Sequence, residues 1–165
     1  MKSILILLLL LSCFVSYGQT ISEYYYNNGL KKIETGDLQG AIEDFNKVIE
    51  LNPKVPTTYN NRGYVKAALG NFKDAIEDYN IAIELDPNHV NAYNNRGVAK
   101  TEIGELEGAL LDYNKAIELD PKDPSPYNNR GHIKTALKDY KGAINDYSKA
   151  IELKPDYTNA FCFIM

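Results

Sequence analysis

Apolar residues in the middle of the chain fall at helical spacing. Ala75, Ile76, Tyr79, Ala82 and Ile83 recur at separations of three, four and seven residues, which places them on one stripe of a helix. The pattern predicts a first helix over Pro56–Leu69 and a second over Phe72–Leu85. Between them, Gly70 suits a left-handed residue that closes a helix, and Asn71 suits the cap that opens the next. Pro87 ends the second helix because it has no N–H to continue the hydrogen-bond ladder. The elementary unit is therefore a pair of amphipathic helices joined by a tight turn.

That unit is repeated. Pro53, Pro87, Pro121 and Pro155 stand 34 residues apart, and so do Gly29, Gly63, Gly97 and Gly131. The same interval separates Ala41, Ala75, Ala109 and Ala143, then Tyr25, Tyr59, Tyr93 and Tyr127, and finally Phe45, Tyr79, Tyr113 and Tyr147. Independent residue series in one register define stacked units, none of which can bury its apolar face alone. The units read Ser22–Val55, Pro56–His89, Val90–Asp123 and Pro124–Tyr157, and the predicted fold class is all-α, a helix-turn-helix solenoid. Gly36 with Asp37 and Gly104 with Glu105 repeat the turn device, whereas Lys138 replaces the glycine in the last unit. Gly63 and Ala75 are expected to let the helices of a hairpin approach closely. Tyr79 is expected to fill the space toward the next unit.

These positions carry a resemblance. Tyr59, Gly63, Ala75, Tyr79, Ala82 and Pro87 coincide with the aromatic, Gly, Ala, aromatic, Ala and Pro positions of the tetratricopeptide repeat. The other units follow, except that Val48 stands for the second alanine in the first. After its N-terminal segment the chain resembles the tetratricopeptide repeat family over nearly all its length. The resemblance implies a right-handed superhelix whose first helices line a concave groove, and a scaffold that binds a protein or an extended peptide there.

Variable first-helix positions then become candidate peptide-binding residues. Asn27, Asn61, Asn95 and Asn129 occupy the place where some family members carry an asparagine ladder, with Asn60, Asn94, Asn128 and Tyr64 beside them. Asparagine is a poor helix-interior residue. Its amide can, however, accept from one backbone N–H and donate to a carbonyl, so a row of them can hold an extended chain without reading its side chains. The variety of the family that grips an acidic C-terminal tail places Lys at sites that here hold Tyr26, Thr57, Asn91 and Ser125, so that function is not expected.

Two departures from the family recur. Arg62, Arg96 and Arg130 replace a frequent Leu, and Lys66, Lys100 and Lys134 a frequent Tyr. Asp44, Asp78, Asp112 and Asp146 share the period. The expectation is that each Arg pairs with the Asp of the preceding unit, Arg96 with Asp78 for example, knitting neighbours together.

Composition narrows the partners. With 18 basic residues against 22 acidic and a net charge of −4, the chain lacks the basic excess of a nucleic-acid binder, and no nucleic-acid partner is expected. The 13 tyrosines, without any tryptophan, follow from the repeat, since Tyr59, Tyr93 and Tyr127 take a place the family often gives to Trp. His89 and His132 are isolated from each other and from Cys162, and the glycines close turns rather than cradle phosphate. Neither a metal site, a cofactor nor a catalytic constellation is expected, and the chain does not read as an enzyme.

The ends read differently. Lys2 precedes an apolar run from Ile4 to Leu11, too short for the roughly 20 residues of a membrane span, and Ser16-Tyr17-Gly18 follows. This is the shape of a signal peptide over residues 1–18, cleaved after Gly18, and predicts an exported protein, periplasmic or secreted. Lipidation at Cys13, after Leu10-Leu11-Ser12, is the other route. At the far end, Asn159-Ala160-Phe161 parallels Asn91-Ala92-Tyr93, so residues 158–165 read as the start of a fifth unit. That start fits a piece of a longer repeat protein, or an open face that self-associates through these residues.

Overall fold

The structure, a computed structural model, describes the backbone of residues 2–155 and the side chains of residues 18–155. The side chains expected to form most of the signal peptide, and the expected fifth-unit start, lie outside the described residues. Among the described residues the chain forms eight helices and no strand: α1 (Lys2–Thr35), α2 (Leu38–Leu51), α3 (Pro56–Ala68), α4 (Phe72–Leu85), α5 (Val90–Glu102), α6 (Leu106–Leu119), α7 (Pro124–Ala136) and α8 (Tyr140–Leu153). Each helix packs on its neighbours in sequence, and α5 also touches α3 and α7. This is an all-α solenoid in which, among the described residues, the main helix contacts run within a unit or between adjacent units. The first helix differs from its counterparts, since α1 continues upstream of Ser22.

The turns use the left-handed residue the sequence predicts. Gly36, Gly70 and Gly104 have φ of 82°, 81° and 81°, and Lys138 is forced to φ 62° at the equivalent place. The caps are less uniform. Asp37 and Asp139 accept from the backbone N–H groups of Gly40 and Gly142, but Asn71 makes no side-chain cap bond. Asn71 stands at the N-cap of α4 as expected, without the side-chain bond that Asp37 and Asp139 make. A Cβ at Gly40 or Gly142 would collide with the capping carboxylate. In the second unit that place holds Asp74.

The core is a series of aromatic rings laid on glycines. A Cβ on Gly63 would come within 2.8 Å of the Tyr79 ring, on Gly97 within 2.6 Å of Tyr113, and on Gly131 within 2.7 Å of Tyr147. Tyr79 therefore packs first within its own hairpin. It also clusters with Ala75 and with Ala99 of the next unit, so the same ring closes the hairpin and the junction. Burial pushes the Tyr113 hydroxyl up to about 12 and raises those of Tyr79 and Tyr147, because water no longer stabilises the phenolate. The hydroxyls of Tyr113 and Tyr147 lie 3.3 Å from Thr101 Oγ1 and Thr135 Oγ1.

Candidate functional site on the first helices

Each first helix from α3 onward sends an Arg, and a Lys one turn later, to a single carboxylate on the following helix. Arg62 Nε and Nη2 donate to Asp78 at 2.9 and 2.6 Å, and Lys66 Nζ lies 2.8 Å from it. Arg96 and Lys100 hold Asp112 in the same way, and Arg130 and Lys134 hold Asp146. In the first unit Asn28 and Lys32 stand on Asp44.

The pairing expected with the preceding unit is corrected: the Asp belongs to the Arg's own hairpin. These carboxylates are nearly inaccessible, Asp78 at 2 % exposure and Asp112 at 3 %, and a buried anion is tolerable only with close compensation from several donors. The remaining edge of the guanidinium does reach back. Nη1 of Arg62, Arg96 and Arg130 donates to Asn46, Asn80 and Asn114 of the preceding unit at 2.6, 2.7 and 2.6 Å. The units are knitted by a neutral amide, while the charge is settled inside each hairpin. The sequence reading missed the lysines' part. Their signal was present in the shared period and in the one-turn spacing from each Arg.

The asparagines form a second set of rungs. Asn95 Nδ2 donates to Asn60 Oδ1 at 3.1 Å, and Asn129 Nδ2 to Asn94 Oδ1 at 3.1 Å. Asn61 Nδ2 donates to the Tyr26 hydroxyl at 3.0 Å. The series thus links each first helix to the one before it. Asn60 and Asn128 are buried, Asn61, Asn94, Asn95 and Asn129 are half-buried, and Asn27 is exposed. Asn128 Oδ1 is buried without a hydrogen-bond partner.

Two clefts open beside these rungs. One, of about 420 Å³, lies between α3, α4 and α5, lined by Tyr64, Phe72, Tyr79 and Val98 together with Asn95 and Glu102. Tyr64 and Val98 hold equivalent positions in their units and stand 51 % and 37 % exposed. The other, of about 720 Å³, lies between α1, the end of α2 and the start of α3, with Tyr26, Val48, Leu51 and Val55 among its walls and Glu23 at its edge. His132 continues the register of Tyr64 and Val98 on α7. It packs edge-on to Tyr147 at 5.5 Å, and burial lowers its imidazole pKa. His89 Nδ1 accepts from the Ala92 N–H as the cap of α5. Among the described residues no three His, Cys, Asp or Glu side chains cluster as metal ligands.

Comparison with known proteins agrees with this geometry. A family model described as TPR repeat matches residues 29–70, 63–104 and 99–136, and one described as tetratricopeptide repeat matches residues 124–157. The chain belongs to the tetratricopeptide repeat family. Among solved structures, this tetratricopeptide repeat protein is similar to the MamA protein, with 29 % identity, a TM-score of 0.77, and coverage of 87 % of this chain and 79 % of that one. It is also similar to the first repeat domain of Spaghetti (RPAP3) bound to an HSP90 peptide, with 28 % identity, a TM-score of 0.70, and coverage of 72 % and 94 %. A curated relative, the uncharacterized protein MJ0572 of Methanocaldococcus jannaschii, is 53 % identical over 32 residues, which are 19 % of this chain and 37 % of that protein. The chain thus matches little more than a third of that relative's length. Tetratricopeptide repeat domains are scaffolds that bind protein or peptide partners, and this chain has that architecture. Among the described residues no helix is long and apolar enough to cross a membrane.

Proposed function

We propose that this protein is an exported interaction scaffold that takes an extended segment of a partner along its first helices α1, α3, α5 and α7. The observation that carries the reading is the exposure of Tyr64 and Val98, large apolar side chains at one repeat position, around a cleft with an amide on its wall. Apolar surface flanked by a few polar groups is the usual form of a binding cleft. The asparagines contribute through what the rungs leave over. Asn95 and Asn129 spend one N–H on the preceding helix, and the rest of each amide is available to a peptide backbone. Asn27 and Asn61 extend the row toward α1. Asn60, Asn94 and Asn128 support it from behind as acceptors or buried neighbours.

RPAP3 holds the HSP90 peptide SRMEEVD. An acidic tail of that kind does not suit this chain, whose corresponding sites hold Tyr26, Thr57, Asn91 and Ser125 in place of lysine. The test is crosslinking of the mature protein to its partner, comparing the native chain with Val98→Asp and Tyr64→Asp. Both variants keep the rungs and the core, so circular dichroism should be unchanged while the crosslink disappears. A crosslink that survives both changes refutes the reading. Export rests on the Lys2-to-Gly18 pattern and is tested by N-terminal sequencing of the protein from the culture fluid or envelope. An N-terminus at Gln19 supports cleavage after Gly18, and a blocked Cys13 supports lipidation.

A second reading has its own observation. Tyr140 and Ile144, at 60 % and 49 % exposure, hold the positions of Phe72 and Ile76, which are half-buried under the next unit. This end of the solenoid would stack on another copy. Sedimentation with and without residues 158–165 decides, since a monomer in both cases removes it.

A further inference from the structure

The clefts on the first helices carry acid without base. Glu102 lines the smaller cleft and Glu23 the larger, and among the described residues no Lys or Arg lines either one. Both carboxylates are exposed, and neither is in an ion pair among the described residues. The cations of α3, α5 and α7 are committed elsewhere. Arg62, Arg96 and Arg130, with the lysine one turn after each, close on Asp78, Asp112 and Asp146. The charge that remains beside the open apolar surface is therefore negative.

We infer that the segment this scaffold accepts pairs an apolar side chain with a neighbouring cationic one. The inference rests on the proposed first-helix binding site and names the chemistry that fits it. An apolar side chain enters between Tyr64 and Val98 over the rings of Phe72 and Tyr79. The Asn95 amide meets the backbone beside it, and a Lys or Arg close in sequence reaches Glu102. An acidic segment would set carboxylate against carboxylate with no lysine in the cleft to offset it. Charge complementarity of this rim type selects partners more than it adds affinity.

The test uses the full chain and three labelled Ser-rich peptides, followed by fluorescence anisotropy. One peptide carries a Phe with flanking Arg, one a Phe with flanking Glu, and one flanking Arg with Ser in place of Phe. The Phe-Arg peptide should bind, and the other two should bind more weakly. Glu102→Gln should weaken Phe-Arg binding about three- to fivefold, as an accessible ion pair allows, and flatten its salt dependence. Glu102→Lys should shift preference to the Phe-Glu peptide, whereas Glu77→Gln, an exposed carboxylate on α4 away from the cleft, should change nothing. Equal binding of the Phe-Arg and Phe-Glu peptides, no effect of Glu102→Gln, or binding of none of the peptides overturns the inference. Val98→Asp separates the two levels. If the Phe-Arg and Phe-Glu peptides bind equally and Val98→Asp abolishes both, the binding site stands and only the charge class falls. If a peptide binds and Val98→Asp leaves it bound, the site itself is wrong.

Discussion

Single residues show where the repeat is strained and where it is protected. Lys138 holds φ 62° at a turn where the other units place glycine, so its Cβ crowds the backbone in a way a glycine would not. Lys138→Gly should stabilise the protein by up to about 1 kcal/mol, read as a higher urea midpoint at unchanged m-value. The same change at an ordinary helical site would destabilise by a similar amount, so the sign is diagnostic. Tyr113 offers a pH handle. Its hydroxyl titrates near the ordinary tyrosine value of 10.0 when unfolded and is pushed up to about 12 when folded, so the unfolded chain loses its proton first. Its contribution is complete below pH 10 and is lost as pH rises from there toward 12. Between those limits Tyr113→Phe should show a shallower fall in stability than the native chain.

At the scale of the helix pair, charge matters more than count. Asp112 is buried under Arg96 and Lys100, whereas Glu118 meets Lys115 at 2.7 Å in the open. Asp112→Asn leaves two cations facing a neutral amide in a site with little water. It should cost about 3 kcal/mol, toward the lower end for a broken buried pair because Arg96 and Lys100 still reach solvent. Glu118→Gln should cost less than about 0.5 kcal/mol. Urea titrations of the two variants side by side check the contrast, and equal losses would refute it.

Which groups pair was the part hardest to see in the sequence. Arg96 follows Asp78 and precedes Asp112, and a strict period makes both pairings equally regular. Only the closeness of the two helices in a hairpin decides between them. The helices, the glycine turns and the close approach of the two helices at Gly63 were legible, because each depends on local conformation or on one residue's size, whereas the seat of each Tyr ring on the glycine of its own hairpin was not. The first-helix asparagines were legible as a row. Their bonds were not, because an amide serves a neighbouring helix or a ligand equally well. Asn71 takes the N-cap position of α4, but its side chain makes no cap bond, which its residue type alone did not show.

For the whole molecule, stability is distributed along a line rather than gathered in a centre, since among the described residues the main contacts of each unit are with itself and its neighbours. Removing Pro56–His89 should therefore shorten the protein without unfolding it. Asn95 would then meet Tyr26 as Asn61 does now, and Arg96 would meet Asn46 as Arg62 does. The shortened chain should unfold cooperatively with an m-value lower by about a quarter, in proportion to the surface it exposes. A molten or aggregated product would show that the junctions are not equivalent.

Equivalent junctions also bear on heredity. The amide rungs and the Arg–Asn contacts join residues a fixed distance apart in the chain, so unequal crossover within the coding DNA deletes or duplicates whole units and remakes the same joint each time. Length can drift between generations without a new interface having to be invented. Selection can then act on the few side chains that face outward, such as Tyr64, Val98 and Glu102, one unit at a time.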